Sequence, residues 1–283
     1  MADQIDYFTE ARSVDAVNAR MGKDIDPRLA SVMASLVKHL HAFAKDVELT
    51  QDEWALAVDF LTRTGQISDG NRQEFILLSD VLGLSMLVDA INNRRPSGAT
   101  ENTVLGPFHV DGAPEYPMGT NISLDGKGES CLFAGYVHDG EGRPVEHARI
   151  DVWCDNAEGF YDVQQPDIQP RWNNRGIFVT GSDGAYSFRG IRPVSYPIPD
   201  DGPVGQLLAA LGRHPNRPAH MHFLVSAPGY QTIVTHTFVD GDQWLTSDAV
   251  FGVKASLIAT VEEGTDTRWK SNFDFIMTPS TDR

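Results

Sequence analysis

The sequence predicts an α+β chain: a helical N-terminal domain over residues 1–100, followed by a mainly antiparallel β-sandwich over residues 101–283. Three observations predict it. Apolar residues recur at steps of three and four from Pro27 to about Asn93, the period of a helix face. From about Val104 onward, short strand-like runs are separated by Gly- and Pro-rich turns. No crossover helices separate those runs, which argues against a parallel sheet.

The first helix is read from "DPRLASVMASLVKHLHAFAKD". Leu29, Val32, Met33, Leu36, Val37, Leu40 and Phe43 form one apolar stripe, expected to be buried, and Pro27 suits a first turn. The second opens at "TQDEWALAVDFLTRTG", where Thr50 and Glu53 have capping-box spacing and Gly65 stands where a stop is expected. A third helical segment, "RQEFILLSDVLGLSMLVDAINN", is interrupted by Gly83 and apolar on more than one face, so it is expected to be wedged between other elements. An apolar stripe extending over three helices needs a partner, which predicts a homodimer through the N-terminal helices.

In the second half, "CLFAGYVHDGEGRPVEHARIDVWCD" reads as strand, turn, strand. "GIFVTGSDGAYSFRGI" reads as a hairpin about Asp183-Gly184, and "AHMHFLVSAPGYQTIVTHTFV" as a pair about Pro228-Gly229. "YPIPDDGPVG" reads as a loop fixed by Pro197, Pro199 and Pro203.

Composition narrows the function classes. With 23 basic and 39 acidic residues the net charge is −16, which repels phosphate backbones and anionic bilayers alike. No nucleic-acid or membrane partner is expected, and no apolar run approaches the ~20 residues of a membrane span. The first residues lack the basic-then-apolar layout of a secretory signal, so a cytoplasmic setting is expected. Cys131 and Cys154 read as free buried thiols rather than a disulfide.

The residues with chemistry begin at "NRPAHMHF". Strand alternation puts His220 and His222 on one face, half of a metal site or else two histidines bonded to backbone groups. No HExxH or CxxC spacing accompanies them, so zinc hydrolase chemistry is poorly supported. Tyr161 in "NAEGFYD" and Tyr196 in "RPVSYPIPD" each follow a strand end, where sandwich loops collect. Each could equally be a buried tyrosine with a bonded hydroxyl.

"ENTVLGPF", "DVWCDNAEGFYD", "RGIFVTGSDGAYSFRGIRPVSYPIP" and "RPAHMHFLVSAPGY", in this order, resemble the catalytic sandwich of the intradiol ring-cleaving dioxygenases. The helical region is similar to the dimerising linker of that family. The resemblance implies a non-haem Fe(3+) held by Tyr161, Tyr196, His220 and His222, with O2 and a small aromatic diol or triol as substrates. Two tyrosinates and a hydroxide would balance the ferric charge in a poorly solvated pocket. It also implies that Tyr196 leaves the metal and accepts a diol proton, and that Arg217 stabilises the electron-rich ring. A phospholipid at the dimer interface is a further implication.

"LLSDVLGLSMLVDAINN" and "VLGPFHVDGAPEYPMG" are most similar to the members that cleave hydroxyquinol, the 1,2,4-triol, to 3-hydroxy-cis,cis-muconate, the enol form of maleylacetate. The third hydroxyl needs a polar partner, and Asp80, three residues after Leu77 on one helix face, is the expected one. Leu105, Gly106, Pro107, Phe108, Ile198, Pro199 and Val250 complete the expected pocket. His236 stands where many catechol-cleaving relatives carry glutamine, and a place near the metal is plausible without making it a ligand. The alternatives are a catechol or chlorocatechol dioxygenase and a non-catalytic transthyretin-like module.

Overall fold

The computed structural model describes residues 7–70 and 72–280 and falls into two compact units, residues 1–66 and 67–283. The N-terminal unit holds α1 (Ser13–Asn18), α2 (Pro27–Asp46) and α3 (Gln51–Ile67), the last running to its boundary. Pro27 opens α2 as expected, and Asp26 caps it by accepting the Leu29 N–H at 2.8 Å. The capping box of α3 forms: Thr50 N–H donates to Glu53 Oε2 at 2.9 Å and Glu53 N–H to Thr50 Oγ1 at 3.3 Å. Gly65 does not stop the helix, because main-chain bonding continues through Ile67. Short α1, which has no strong sequence signal, packs on α2, and its Ser13 and Ala16 are buried.

The stripe of α2 is not buried within the chain. Leu36 and Leu40 are 53% and 57% exposed, and α2 contains no buried residue.

The second unit starts with α4 (Glu74–Val81) and α5 (Leu84–Asn92), separated at Gly83, where φ is 74°. Strands follow: β1 (Ser130–Asp139), β2 (Arg149–Trp153), β3 (Arg175–Val179), β4 (Ala185–Ile191) and β5 (Tyr196–Pro197). A helix absent from the sequence reading, α6 (Pro203–Ala210), then starts at the third proline of the supposed loop, a favoured first-turn position. The chain ends with β6 (Asn216–Arg217), β7 (His220–Ser226), β8 (Ile233–Val239), β9 (Ile258–Ala259), β10 (Val261–Glu263), β11 (Trp269–Asn272) and β12 (Phe275–Met277).

Two five-stranded sheets form the sandwich. One joins β4, β1, β11, β12 and β10; the other runs β3-β2-β7-β8-β9. Between them lie Phe133, Phe188 and Phe275 from the first sheet and Ile150, Phe178, Met221, Phe223 and Val225 from the second. The sheets are mixed rather than uniformly antiparallel: β1 pairs in parallel with β11 and β12, and β8 with β9. These parallel partners are strands of two to four residues that return over long connections, too short to announce their direction in sequence.

The pair about Pro228-Gly229 is a hairpin, β7–β8, in register from His220↔Phe238 to Val225↔Ile233. The stretch about Asp183-Gly184 is not. It carries the chain from β3 in one sheet to β4 in the other. Gly184 allows this crossing because φ is +69° and a Cβ there would lie 2.5 Å from the Val137 carbonyl oxygen.

Along β7 the alternation decides where the chemistry lies. Met221, Phe223 and Val225 enter the core, so His220 and His222 emerge on the outer face of their sheet.

Candidate metal centre

Four side chains converge on that outer face. Tyr161 Oη lies 2.9 Å from His222 Nε2 and 3.2 Å from Tyr196 Oη, and Tyr196 Oη lies 3.4 Å from His220 Nε2. None of the four is more than 6% exposed. Donor atoms this close together share one small space that a single cation can fill.

Each position has a local cause. Tyr161 directly follows the loop after β2. Its N–H donates to Gln164 Oε1 at 2.9 Å, and the next residue, Asp162, is fixed by Arg175 Nε at 2.6 Å. Tyr196 on β5 pairs in register with Arg217 on β6, which brings a phenol and a guanidinium side by side. His220 Nδ1–H donates to the Pro218 carbonyl at 2.7 Å, leaving the Nε2 lone pair aimed at the cluster.

Trp153, cross-strand from His222, stacks on its imidazole at 4.7 Å and 17°. Gly106 lines the same ring. With φ at +78°, a Cβ there would come within 3.1 Å of His222 Cε1.

Electrostatics favour neutral imidazoles. Burial, then Arg217, pushes His220 down to about 3. Burial and neighbouring His236 hold His222 well below the usual histidine range. The phenols differ: burial and then Tyr196 drive Tyr161 well up, whereas for Tyr196 the upward push of burial is opposed by Arg217. The buried His236 Nε2 has no hydrogen-bond partner, and neither does the buried His222 Nδ1, the ring nitrogen that does not face Tyr161.

His236 lies directly opposite His222 in the β7–β8 ladder, on the same face, with ring centroids 4.2 Å apart. His220, His222 and His236 offer nitrogens within 4.8 Å of one another, a group able to hold a metal ion. Thr103 Oγ1 contacts His236 Nδ1 at 2.5 Å. The even offset from His222 thus did preserve the pleat, because the hairpin register is regular.

Arg217 is fixed by an acid that the sequence reading missed. Asp248 Oδ1 accepts from Arg217 Nε at 3.2 Å, Oδ2 accepts from Nη2 at 3.4 Å, and Oδ2 also takes the Gly252 N–H at 2.8 Å. Burial raises the Asp248 carboxyl, but Arg217, with His220 and the Val250 N–H, more than offsets this, so the net position is low. Arg217 Nη1 sits 3.2 Å from His220 Nε2. The only sequence signal for Asp248 was an acid beside the apolar run "AVF".

Of the expected pocket residues, Phe108 stacks on Tyr161 at 4.5 Å, Gly106 abuts His222, and Ile198 and Val250 are buried. Leu77 and Asp80 are half-buried on α4. Asp80 lies within electrostatic reach of Arg217 and Asp248; burial raises its carboxyl while Ser85 holds it down by hydrogen bonding. Leu105, Pro107 and Pro199 are exposed.

Comparisons with known proteins follow the same outline. A family model described as "Catechol dioxygenase N terminus" matches residues 26–100, and one described as "Dioxygenase" matches residues 105–279. The chain is 56% identical to a hydroxyquinol 1,2-dioxygenase of Rhizobium sp. (strain MTP-10005), over 96% of each chain. It is 52% identical to a 6-chlorohydroxyquinol 1,2-dioxygenase of Cupriavidus pinatubonensis, over 94% of this chain and 96% of that protein. Among solved structures, a hydroxyquinol 1,2-dioxygenase from Pseudomonas putida DLL-E4 superposes with a TM-score of 0.92 at 46% identity, covering 96% of this chain and 99% of the other.

Proposed function

This chain belongs to the intradiol ring-cleavage dioxygenase family, and from that premise we propose that it cleaves hydroxyquinol with O2 to 3-hydroxy-cis,cis-muconate. The observation that carries the reading is an acid, the half-buried Asp80, within electrostatic reach of Arg217, the guanidinium that touches the buried cluster of two phenols and two imidazoles. The names of the relatives at 56% and 52% identity point to the same ring.

In this reading Tyr161, Tyr196, His220 and His222 hold a non-haem Fe(3+). Phenolate oxygens and neutral imidazoles suit a hard trivalent ion, and the lowered imidazole basicities leave the nitrogen lone pairs free at neutral pH. Ferric iron, when bound, supplies an electron-withdrawing centre that prepares the ring for direct attack by O2.

The protein residues then divide the remaining tasks. Tyr161 and Tyr196 are not equivalent, because at Tyr196, cross-strand from Arg217, the guanidinium charge leads the influences that oppose the upward push of burial, whereas burial and then Tyr196 itself drive Tyr161 well up. Tyr196 Oη is therefore the oxygen suited to exchange a proton with a diol hydroxyl. Arg217, its guanidinium fixed by Asp248, places positive charge beside the ring as electron density builds there. Phe108 covers Tyr161 and excludes water from that side. Asp80 accepts the hydrogen of the third hydroxyl, an interaction a simple catechol cannot make.

The exposed stripe of α2 supports a homodimer formed through the N-terminal helices, with a phospholipid as a second apolar occupant. No helix among the described residues is long and apolar enough to cross a membrane. Both cysteines are free and buried, and a cytoplasmic setting remains part of the proposed reading.

Asp80→Ala tests the substrate. The expected outcome is a fall in kcat/KM of about 100-fold on hydroxyquinol and less than about threefold on catechol. Equal losses on both rings would remove the case for hydroxyquinol and leave a catechol or chlorocatechol enzyme. Purified protein should also be red-brown from tyrosinate-to-iron charge transfer, and a colourless protein inactive after iron loading would refute the ferric site.

A further inference from the structure

One guanidinium near the site has no role in the chemistry, yet it joins two segments that do. Arg213 Nη1 donates to the Val81 carbonyl at 2.6 Å, and Arg213 Nη2 donates to the Ala249 carbonyl at 2.9 Å. Val81 is the last residue of α4 and only 1% exposed, so its carbonyl is one of those that a helix end leaves without an intrahelical donor. Ala249 follows Asp248, the acid that fixes Arg217.

A second contact reinforces the first. The Arg213 guanidinium lies 4.8 Å above the Phe251 ring, and Phe251 is held at φ +59°, a sparsely populated conformation for a side chain of that size. The same ring packs against the break between α4 and α5, where a Cβ on Gly83 would be 3.5 Å from Phe251 Cδ2. Arg213, Phe251 and the end of α4 therefore form one junction.

The other end of α4 is held separately. The buried Glu74 side chain accepts the Val204 N–H at 3.1 Å at the start of α6. Asp80 sits one residue before Val81, at the Arg213 end, so displacement of this junction moves Asp80 relative to Arg217 while the Glu74 end stays anchored.

We propose that Arg213 is a positioning residue: by binding the Val81 and Ala249 carbonyls together, it sets the place of the Asp80 carboxylate relative to Arg217 and so decides how well the third ring hydroxyl is recognised. This rests on the hydroxyquinol reading above for its substrate, but not for the junction itself.

Arg213→Lys is the test, because a single ammonium cannot reproduce the planar fork that spans both carbonyls. The expected result is a KM for hydroxyquinol raised about 10-fold with kcat changed less than about twofold, and a KM for catechol unchanged within about twofold. Amide exchange at Leu82 and Gly83, read without substrate, should quicken in the same variant. Should Arg213→Lys not fold, Phe251→Leu keeps both hydrogen bonds but removes the stacking, and should shift hydroxyquinol KM in the same direction by about threefold. An equal shift on both rings, or no shift on either with unchanged exchange, would overturn the proposal. A wild-type protein that cleaves neither ring would instead defeat the substrate reading, and the exchange measurement would still judge the junction.

Discussion

In the N-terminal unit the large apolar side chains are outside: Leu36, Leu40 and Phe43 of α2 and Trp54 and Leu56 of α3 are each more than half exposed. In the sandwich unit the anomaly runs the other way, with His220, His222, His236, Arg217 and Asp248 all buried. Exposed apolar surface and buried polar groups both cost free energy unless something else is present. The first kind of anomaly asks for another apolar surface. The second asks for a charge or donor, where two imidazole nitrogens and two phenol oxygens meet without one.

If the buried cluster exists to hold a cation, removing one donor should be the most damaging single change. His222→Ala is expected to lose iron and to lower kcat/KM on the order of 1000-fold, with the circular dichroism of the sandwich retained. Elemental analysis beside the rate separates lost metal from lost fold. A variant that kept a full complement of iron would break the comparison, because the buried groups would then be structural.

A smaller effect concerns a buried acid behind the cluster. Asp155 is 1% exposed, Cys154 Sγ donates to its Oδ1 at 2.9 Å, and its Oδ2 has no partner. Burial raises its pKa from the ordinary 3.8 to about 7, with its hydrogen bonds opposing the shift. The folded state therefore holds a proton that the unfolded chain releases near pH 4. The associated stability is full below that pH and is lost as pH rises through about 7. Asp155→Asn removes the titration while keeping an acceptor for Cys154. In urea unfolding of the iron-free chain, the variant should gain on the order of 2–3 kcal/mol relative to wild type between pH 5 and pH 8. Parallel pH curves would show that Asp155 ionises freely.

Much of this contrast was legible in sequence, for different reasons in the two units. The helix period announced α2 and α3, and Thr50 with Glu53 announced a cap that forms. Period alone says which residues share a face; it does not say whether this chain covers that face, which is why the stripe read as buried. In the sandwich, strand alternation put His220 and His222 together, and the β7–β8 turn was readable at Pro228-Gly229. Family resemblance was needed to bring in Tyr161 and Tyr196, because contacts between loops leave no period. Asp248, Trp153 and the crossing at Gly184 were missed for the same reason: each depends on segments far apart in the chain.

The mildest change for catalysis addresses the exposed half. Leu36 is 53% exposed near the middle of the α2 stripe, so replacing it removes little packing within one chain, and Leu36→Glu should alter the stability of an isolated chain by less than about 1 kcal/mol. Its effect should appear only between copies, where a carboxylate placed in an apolar interface must be desolvated without a partner. Sedimentation at micromolar concentration should then find the variant as a monomer and the wild type as a dimer, while kcat on hydroxyquinol stays within about threefold, since all four proposed iron ligands come from residues 161–222 of one chain. A variant that remained dimeric would mean that the stripe is covered by something other than a second copy. A monomer that lost activity along with association would mean that the two anomalies are one, with the exposed helices needed to complete the buried site.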